Sequence, residues 1–192
     1  MDRLIVCLGD SVTAAGWPAA LERMLRRAGA EGVRVVNAGV RGNTSGQGLR
    51  RLERDVLSLR PWLVLVQFGF NDCNVVLNGP RPRVSLTRFR ENLTAIVGRI
   101  RESGAEPVLI VNYHTLMQRV LPDGRPYEEQ NREYSEAMSV LASAMGTRSI
   151  DLRDLFPGPG IELSAALAED GIHLSPVGVE AYARILGAFL AA

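Results

Sequence analysis

A three-layer α/β fold built on a parallel sheet is predicted by two features of the chain. Short, wholly apolar runs recur, each closed by a turn signal, and between them lie longer segments with apolar residues at helical spacing. Apolar runs without alternation mark strands buried on both faces, as in a parallel sheet covered by helices. Regular alternation of strand and helix points to right-handed β-α-β crossovers within one sheet. Five such strands fit the flavodoxin-like order 2-1-3-4-5 better than a closed barrel, which needs about eight.

The first strand is Leu4 to Leu8, ended by Gly9-Asp10-Ser11. Pro18 suits the first turn of a helix that continues through Leu21, Met24, Leu25 and Ala28 and stops at Gly29. Val33 to Ala38 is the second strand, followed by a Gly-rich turn over 39–48. Leu49, Leu52, Val56, Leu57 and Leu59 then mark a helix, with Arg50, Arg51, Glu53 and Arg54 expected largely on its outer side. Trp62 to Phe68 is the third strand, ended by Gly69-Phe70-Asn71-Asp72. Residues 73–85 carry two prolines and an Asn-Gly and read as a long loop, a kind that is often functional.

A helix through Phe89, Leu93, Ile96, Val97 and Ile100 closes near Gly104. Pro107 to Asn112 is the fourth strand, ended by Tyr113-His114. A second loop over 115–126 leads into a helix from Tyr127 to Met145. Thr147 to Leu152 is a short fifth strand, and 156–160 is a turn. Ser175 caps the last helix, Pro176 opens it, and Leu190 ends it.

At 192 residues, 46% apolar and 22% charged, the composition suits a single globular domain over 1–192. A net charge of +1 gives no reason to expect nucleic acid or an anionic membrane as partner. Every cationic side chain is Arg, so Schiff-base chemistry and a Walker-type phosphate loop are excluded for want of a Lys amine. No apolar run approaches membrane-spanning length, and too few apolar residues follow Met1-Asp2-Arg3 for a signal-peptide core. Two distant cysteines, Cys7 and Cys73, form no disulfide framework. A soluble cytoplasmic protein is expected, and nothing in the sequence specifies an oligomeric state.

Reactive side chains cluster after the strands, at the rim where a parallel sheet opens its ligand crevice. Ser11 follows the first strand, Gly42 and Asn43 the second, Asn71 and Asp72 the third, and His114 the fourth. Asp170 and His173 lie between the fifth strand and the last helix. Only His114 and His173 are available as a base near neutral pH. His173 has an acid three residues earlier across Gly171, a spacing that lets Asp170 fold back on the imidazole and orient it. Neither histidine sits in a metal-binding pattern, so no metal or organic cofactor is expected. Taken singly, these blocks are ordinary turn chemistry.

Taken together and in order, Gly9-Asp10-Ser11, Asn37-Ala38-Gly39-Val40-Arg41-Gly42-Asn43-Thr44, Gly69-Phe70-Asn71-Asp72 and Asp170-Gly171-Ile172-His173 resemble the SGNH hydrolases, also called the GDSL esterase/lipase family. The wording of the second and fourth blocks is most similar to the small bacterial thioesterase/lysophospholipase and arylesterase branch. The resemblance implies a serine esterase acting on a small-molecule ester through an acyl-enzyme. It implies Ser11 as nucleophile, His173 as general base and Asp170 as its partner. It also implies an oxyanion hole formed by the N–H groups of Ser11 and Gly42 and the amide of Asn71. The same set would serve a carbohydrate deacetylase or an acyltransferase, and a non-catalytic binding module is the remaining alternative.

Two departures stand out. Val12 replaces the Leu of the GDSL motif, and the connection from Ser11 to Trp17-Pro18 is short. A longer loop there walls the acyl site in the thioesterase-like relatives, so short acyl chains and an open site are expected. By position, Arg41, Asn43, Phe70 and His114 are candidate substrate-binding residues, with Trp17, Asn74 and Tyr113 as further wall candidates.

Overall fold

The computed structural model describes residues 3–75 and 81–191. Part of the loop expected over 73–85 lies outside the described residues. The chain runs β1 (Arg3–Gly9), α1 (Ser11–Ala14), α2 (Trp17–Arg27), β2 (Val33–Gly39), α3 (Ser45–Asp55), β3 (Leu63–Gln67), α4 (Leu86–Glu102) and β4 (Glu106–Val111). It continues as α5 (Tyr127–Ala144), β5 (Arg148–Asp151), α6 (Leu152–Leu155), α7 (Leu163–Ala166) and α8 (Pro176–Ala191). All four strand pairings are parallel, and the sheet order is β2-β1-β3-β4-β5, as the sequence predicts. Helices cover both faces, giving three layers: α2 packs on α8, and α3, α4 and α5 lie side by side.

The central strands are fully buried, which is why they read as unbroken apolar runs. Leu63, Val64 and Val66 of β3 and Val108 to Val111 of β4 are inaccessible to solvent. β2 lies at the sheet edge and is only half-buried, which matches Arg34 and Asn37 within it. No helix among the described residues is long and apolar enough to cross a membrane.

Four elements differ from expectation, the first being α1, a single turn over Ser11–Ala14 that the sequence does not predict. α3 starts at Ser45, inside the stretch that reads as a Gly-rich turn, because Thr44 and Gln47 form a capping box there. With that start, Ser45, Gly48, Arg51 and Leu52 share the buried face. Arg51 is therefore 8% exposed and not on the outer side. Two single-turn helices, α6 and α7, occupy the region between β5 and α8, of which the sequence predicts only a turn.

The rim carries a buried polar ladder. Thr13 Oγ1 donates to Gln67 Oε1 at 3.2 Å, Gln67 Nε2 to Asn112 Oδ1 at 2.6 Å, and Asn112 Nδ2 to the Phe68 carbonyl at 3.2 Å. These bonds tie α1 to the ends of β3 and β4 without leaving a buried polar group unpaired.

Candidate active site

β1 delivers Ser11 to the rim next to the switch point, where the chain order reverses between β1 and β3. The buried Asp10 caps α1 by accepting the Val12 N–H at 2.9 Å, so Ser11 occupies the first position of that helix. N–H groups at a helix start have no partner within the helix. Ser11 Oγ lies 2.8 Å from Nε2 of His173, and the other ring nitrogen, Nδ1, lies 2.5 Å from Asp170 Oδ2.

The Asp170–His173 turn is held on every side. Asp170 Oδ1 accepts the N–H groups of Ile172 and His173, at 3.0 and 2.9 Å. Burial works to raise the Asp170 carboxyl, but its hydrogen bonds from the His173 side chain and from the two backbone N–H groups outweigh this and hold it below the ordinary value. A carboxylate that stays ionised fixes the tautomer of the imidazole beside it. Gly171 adopts φ +71, and a Cβ there would stand 2.5 Å from the Leu116 carbonyl carbon. Only glycine fits that turn. The loop after β4 clamps it, Leu116 N–H donating to the Gly171 carbonyl at 2.8 Å and Tyr113 OH to the Ile172 carbonyl at 2.6 Å.

Asn71 meets Asp10, the neighbour of Ser11, and is linked through Arg83 to Gly42 in the loop after β2. Asn71 Nδ2 donates to Asp10 Oδ2 at 3.3 Å. Gly42 adopts φ +73 in a turn closed by Asn43 N–H donating to the Val40 carbonyl at 3.1 Å, the geometry that favours glycine at its third position. Asp72 bolts this region together, receiving Ser45 N–H at 2.9 Å and the Ser45 hydroxyl at 2.5 Å at the start of α3. Burial pushes Asp10 up to about 7 and Asp72 up to about 6, and the Asp72 charge adds to the rise at Asp10.

The candidate wall residues divide. Trp17, Phe70 and Tyr113 are core: Phe70 is 4% exposed and packs on Tyr113, which continues through Phe156 to Tyr182 and Trp17. A position at a strand end places a residue near the rim without saying whether its ring turns out or under, and these three turn under. Phe70, expected from its position to be a substrate-binding residue, thus has its ring packed against Tyr113. Asn43 is half-buried and its Oδ1 accepts from Arg51 Nε at 2.8 Å, which ties the side chain to the scaffold. Asn74 is likewise engaged, by Arg119 at 2.7 Å. Arg41 is exposed beside Gly42. His114 is exposed and pairs through Nδ1 with Glu128 at 2.7 Å, at the edge of a groove of 280 Å³ lined by 115–120.

Sequence reasoning missed two supports, the buried Arg51 and the exposed Arg83. Arg51 donates to carbonyls at the ends of β1 and β2, those of Gly9 at 2.8 Å and of Ala38, the last residue but one of β2, at 2.7 Å. The spacing of small Ser45 and Gly48 ahead of it was the available signal for a close-packed helix face. Arg83 lay inside the expected loop with no distinguishing pattern, yet it reaches both Asn71 and Gly42. Among the described residues no group of three or more His, Cys, Asp or Glu could hold a metal ion.

Residues 7–181 match the model of the GDSL-like lipase/acylhydrolase family. The chain belongs to that family. Within the GDSL-like family, an arylesterase of Vibrio mimicus is 30% identical over 183 residues, 91% of this chain and 81% of that one. The esterase TesA of Pseudomonas aeruginosa is 34% identical over 113 residues, 55% of this chain. It is one of two curated relatives matched over only about half of their own length, 46% and 52%. The crystal structure of a lipase/acylhydrolase from Enterococcus faecalis superposes with a TM-score of 0.79 at 30% identity, covering 98% of this chain and 95% of that one.

Proposed function

We propose that this GDSL-like chain is a serine hydrolase of small carboxylic esters, working as one domain over 1–192. The observation that carries the reading is the continuous relay from Ser11 Oγ through both nitrogens of His173 to Asp170. Neutral His173 takes the Ser11 proton as the hydroxyl attacks the ester carbonyl. The tetrahedral oxyanion forms between the N–H groups of Ser11 and Gly42 and the Asn71 amide. His173 then protonates the departing alcohol, and water releases the acyl group by the same steps in reverse.

Two features support the assignment of the donors. The Gly42 N–H has no hydrogen-bond partner among the described residues. Asn71 is fixed by Asp10, the neighbour of the nucleophile. The connection from α1 to α2 is only Ala15-Gly16, which leaves little chain to wall a long acyl group and favours short ones. Arg41 stands at the rim as a candidate contact to substrate. The cytoplasm is the proposed compartment, in keeping with two free, buried thiols at Cys7 and Cys73.

A chain-length series of p-nitrophenyl esters on the purified protein tests the reading. Turnover is expected to be highest with acetyl to butyryl esters. Ser11→Ala is expected to lower kcat by at least about a thousandfold with the fold intact. Undiminished turnover in that variant would remove Ser11 from the mechanism.

A further inference from the structure

We propose that Arg83 is a positioning residue that locks the Asn71 amide and the Gly42 turn into one oxyanion-binding unit; this rests on the hydrolase reading above. Its guanidinium donates through Nη1 to Asn71 Oδ1 at 3.4 Å and through Nη2 to the Gly42 carbonyl at 3.1 Å. Asn71 is thereby engaged at both ends of its amide, since Nδ2 gives one hydrogen to Asp10 Oδ2. The second hydrogen on Nδ2 is left for the reacting oxygen.

The orientation of that amide decides its usefulness. Rotated by half a turn, Asn71 would present its oxygen to the oxyanion and repel it. Guanidinium has donors and no acceptor, so Arg83 tolerates the amide in one orientation only. Asp10 selects the same orientation from the other side. A planar fork is suited to holding two oxygens at once, which an ammonium group cannot reproduce.

Arg83 is built into the loop it steadies. Its own N–H donates to the Asn74 carbonyl at 2.8 Å, and the next N–H, of Val84, donates to the Asp72 carbonyl at 3.1 Å. The backbone of Arg83 is therefore tied to the loop of Asn71, while its side chain crosses to the loop after β2. Surface arginines elsewhere pair with carboxylates, as Arg23 does with Glu180 and Arg99 with Glu53. Both side-chain hydrogen-bond partners of Arg83 are neutral oxygens. The guanidinium charge favours a negative oxygen forming between Asn71 and Gly42.

The test is a kinetic double-mutant cycle on p-nitrophenyl acetate with Arg83→Ala, Asn71→Ala and the pair. Arg83→Ala is expected to lower kcat by roughly tenfold or more with KM little changed and the melting temperature held. In the Asn71→Ala background the same change is expected to cost much less, because the amide it steadied is gone. Arg83→Lys is expected to stay impaired, and guanidinium ion at low concentration to restore part of the Arg83→Ala rate. Equal losses in both backgrounds, a loss in KM alone, or no loss would overturn the inference while leaving the hydrolase reading in place. A wild-type chain that neither hydrolyses esters nor reacts with a fluorophosphonate would overturn both.

Discussion

Asp10 and Asn71 face each other across 3.3 Å, and the chemistry of the candidate oxyanion hole depends on which atoms meet there. Asp10 has two acceptor oxygens, one for the Val12 N–H and one for Asn71. An asparagine has only one oxygen, so Asp10→Asn must either drop the cap of α1 or turn an amide nitrogen toward the nitrogen of Asn71. The expected outcome is a kcat lowered by roughly tenfold or more with a native circular dichroism spectrum; an unchanged kcat would mean that Asp10 does not orient Asn71. Asn71→Ala itself is expected to cost roughly a hundred- to a thousandfold in kcat with little change in KM, and a pure KM effect would reduce Asn71 to a binding contact. At this scale the sequence was uneven. The Asp170–His173 pair was legible from a spacing of three residues around a glycine. The turning of Trp17, Phe70 and Tyr113 into the core was not, because ring direction is set by packing against α8 and the β4 loop.

Elements place these residues through close contacts that leave no slack. The end of β2 approaches α1 so nearly that a Cβ on Gly39 would stand 2.4 Å from the Ala14 nitrogen and 2.8 Å from the Thr13 carbonyl carbon. Backbone cannot step aside as a flexible side chain would. Gly39→Ala is expected to destabilise the protein by about 1–3 kcal/mol and to lower turnover as well, because α1 carries Ser11. Urea unfolding alongside steady-state kinetics checks both, and a stable, fully active variant would show that α1 tolerates displacement. The strands were legible because unbroken apolar runs have one reading in an alternating chain. The start of α3 was not, since Ser45-Gly46-Gln47-Gly48 looks like a turn until Thr44 and Gln47 are recognised as reciprocal caps. Single-turn helices such as α6 and α7 are too short to show a period at all.

The whole molecule keeps two buried aspartates at its rim, and that has a stability consequence. In the folded chain burial pushes the Asp10 carboxyl up to about 7 and that of Asp72 up to about 6, above the ~3.9 of an unfolded aspartate. Between those limits the folded chain retains protons that the unfolded chain has released. The contribution of these two groups to stability is therefore full below about pH 4, falls as pH rises through the window, and is gone above about 7, with a slope approaching about 1.4 kcal/mol per pH unit for each group. The depressed Asp170 acts in the opposite sense, in a window below the ordinary aspartate value. Urea midpoints at pH 5 and pH 8 are expected to be higher at pH 5; a higher midpoint at pH 8 would contradict this. The architecture was legible at this scale because alternation and apolar runs fix sheet type and face coverage. The contacts that knit the rim, through Arg51, Arg83 and the Gln67–Asn112 ladder, join residues far apart in sequence and leave no local pattern.

The central claim is that Ser11 is a nucleophile activated by His173 and Asp170. Its most direct test is peptide mass spectrometry after exposure of the native protein to a fluorophosphonate. The account predicts one phosphonyl adduct, on Ser11, formed in wild type and lost or greatly slowed in His173→Ala. An unmodified Ser11, or an adduct that forms equally well without His173, would contradict it.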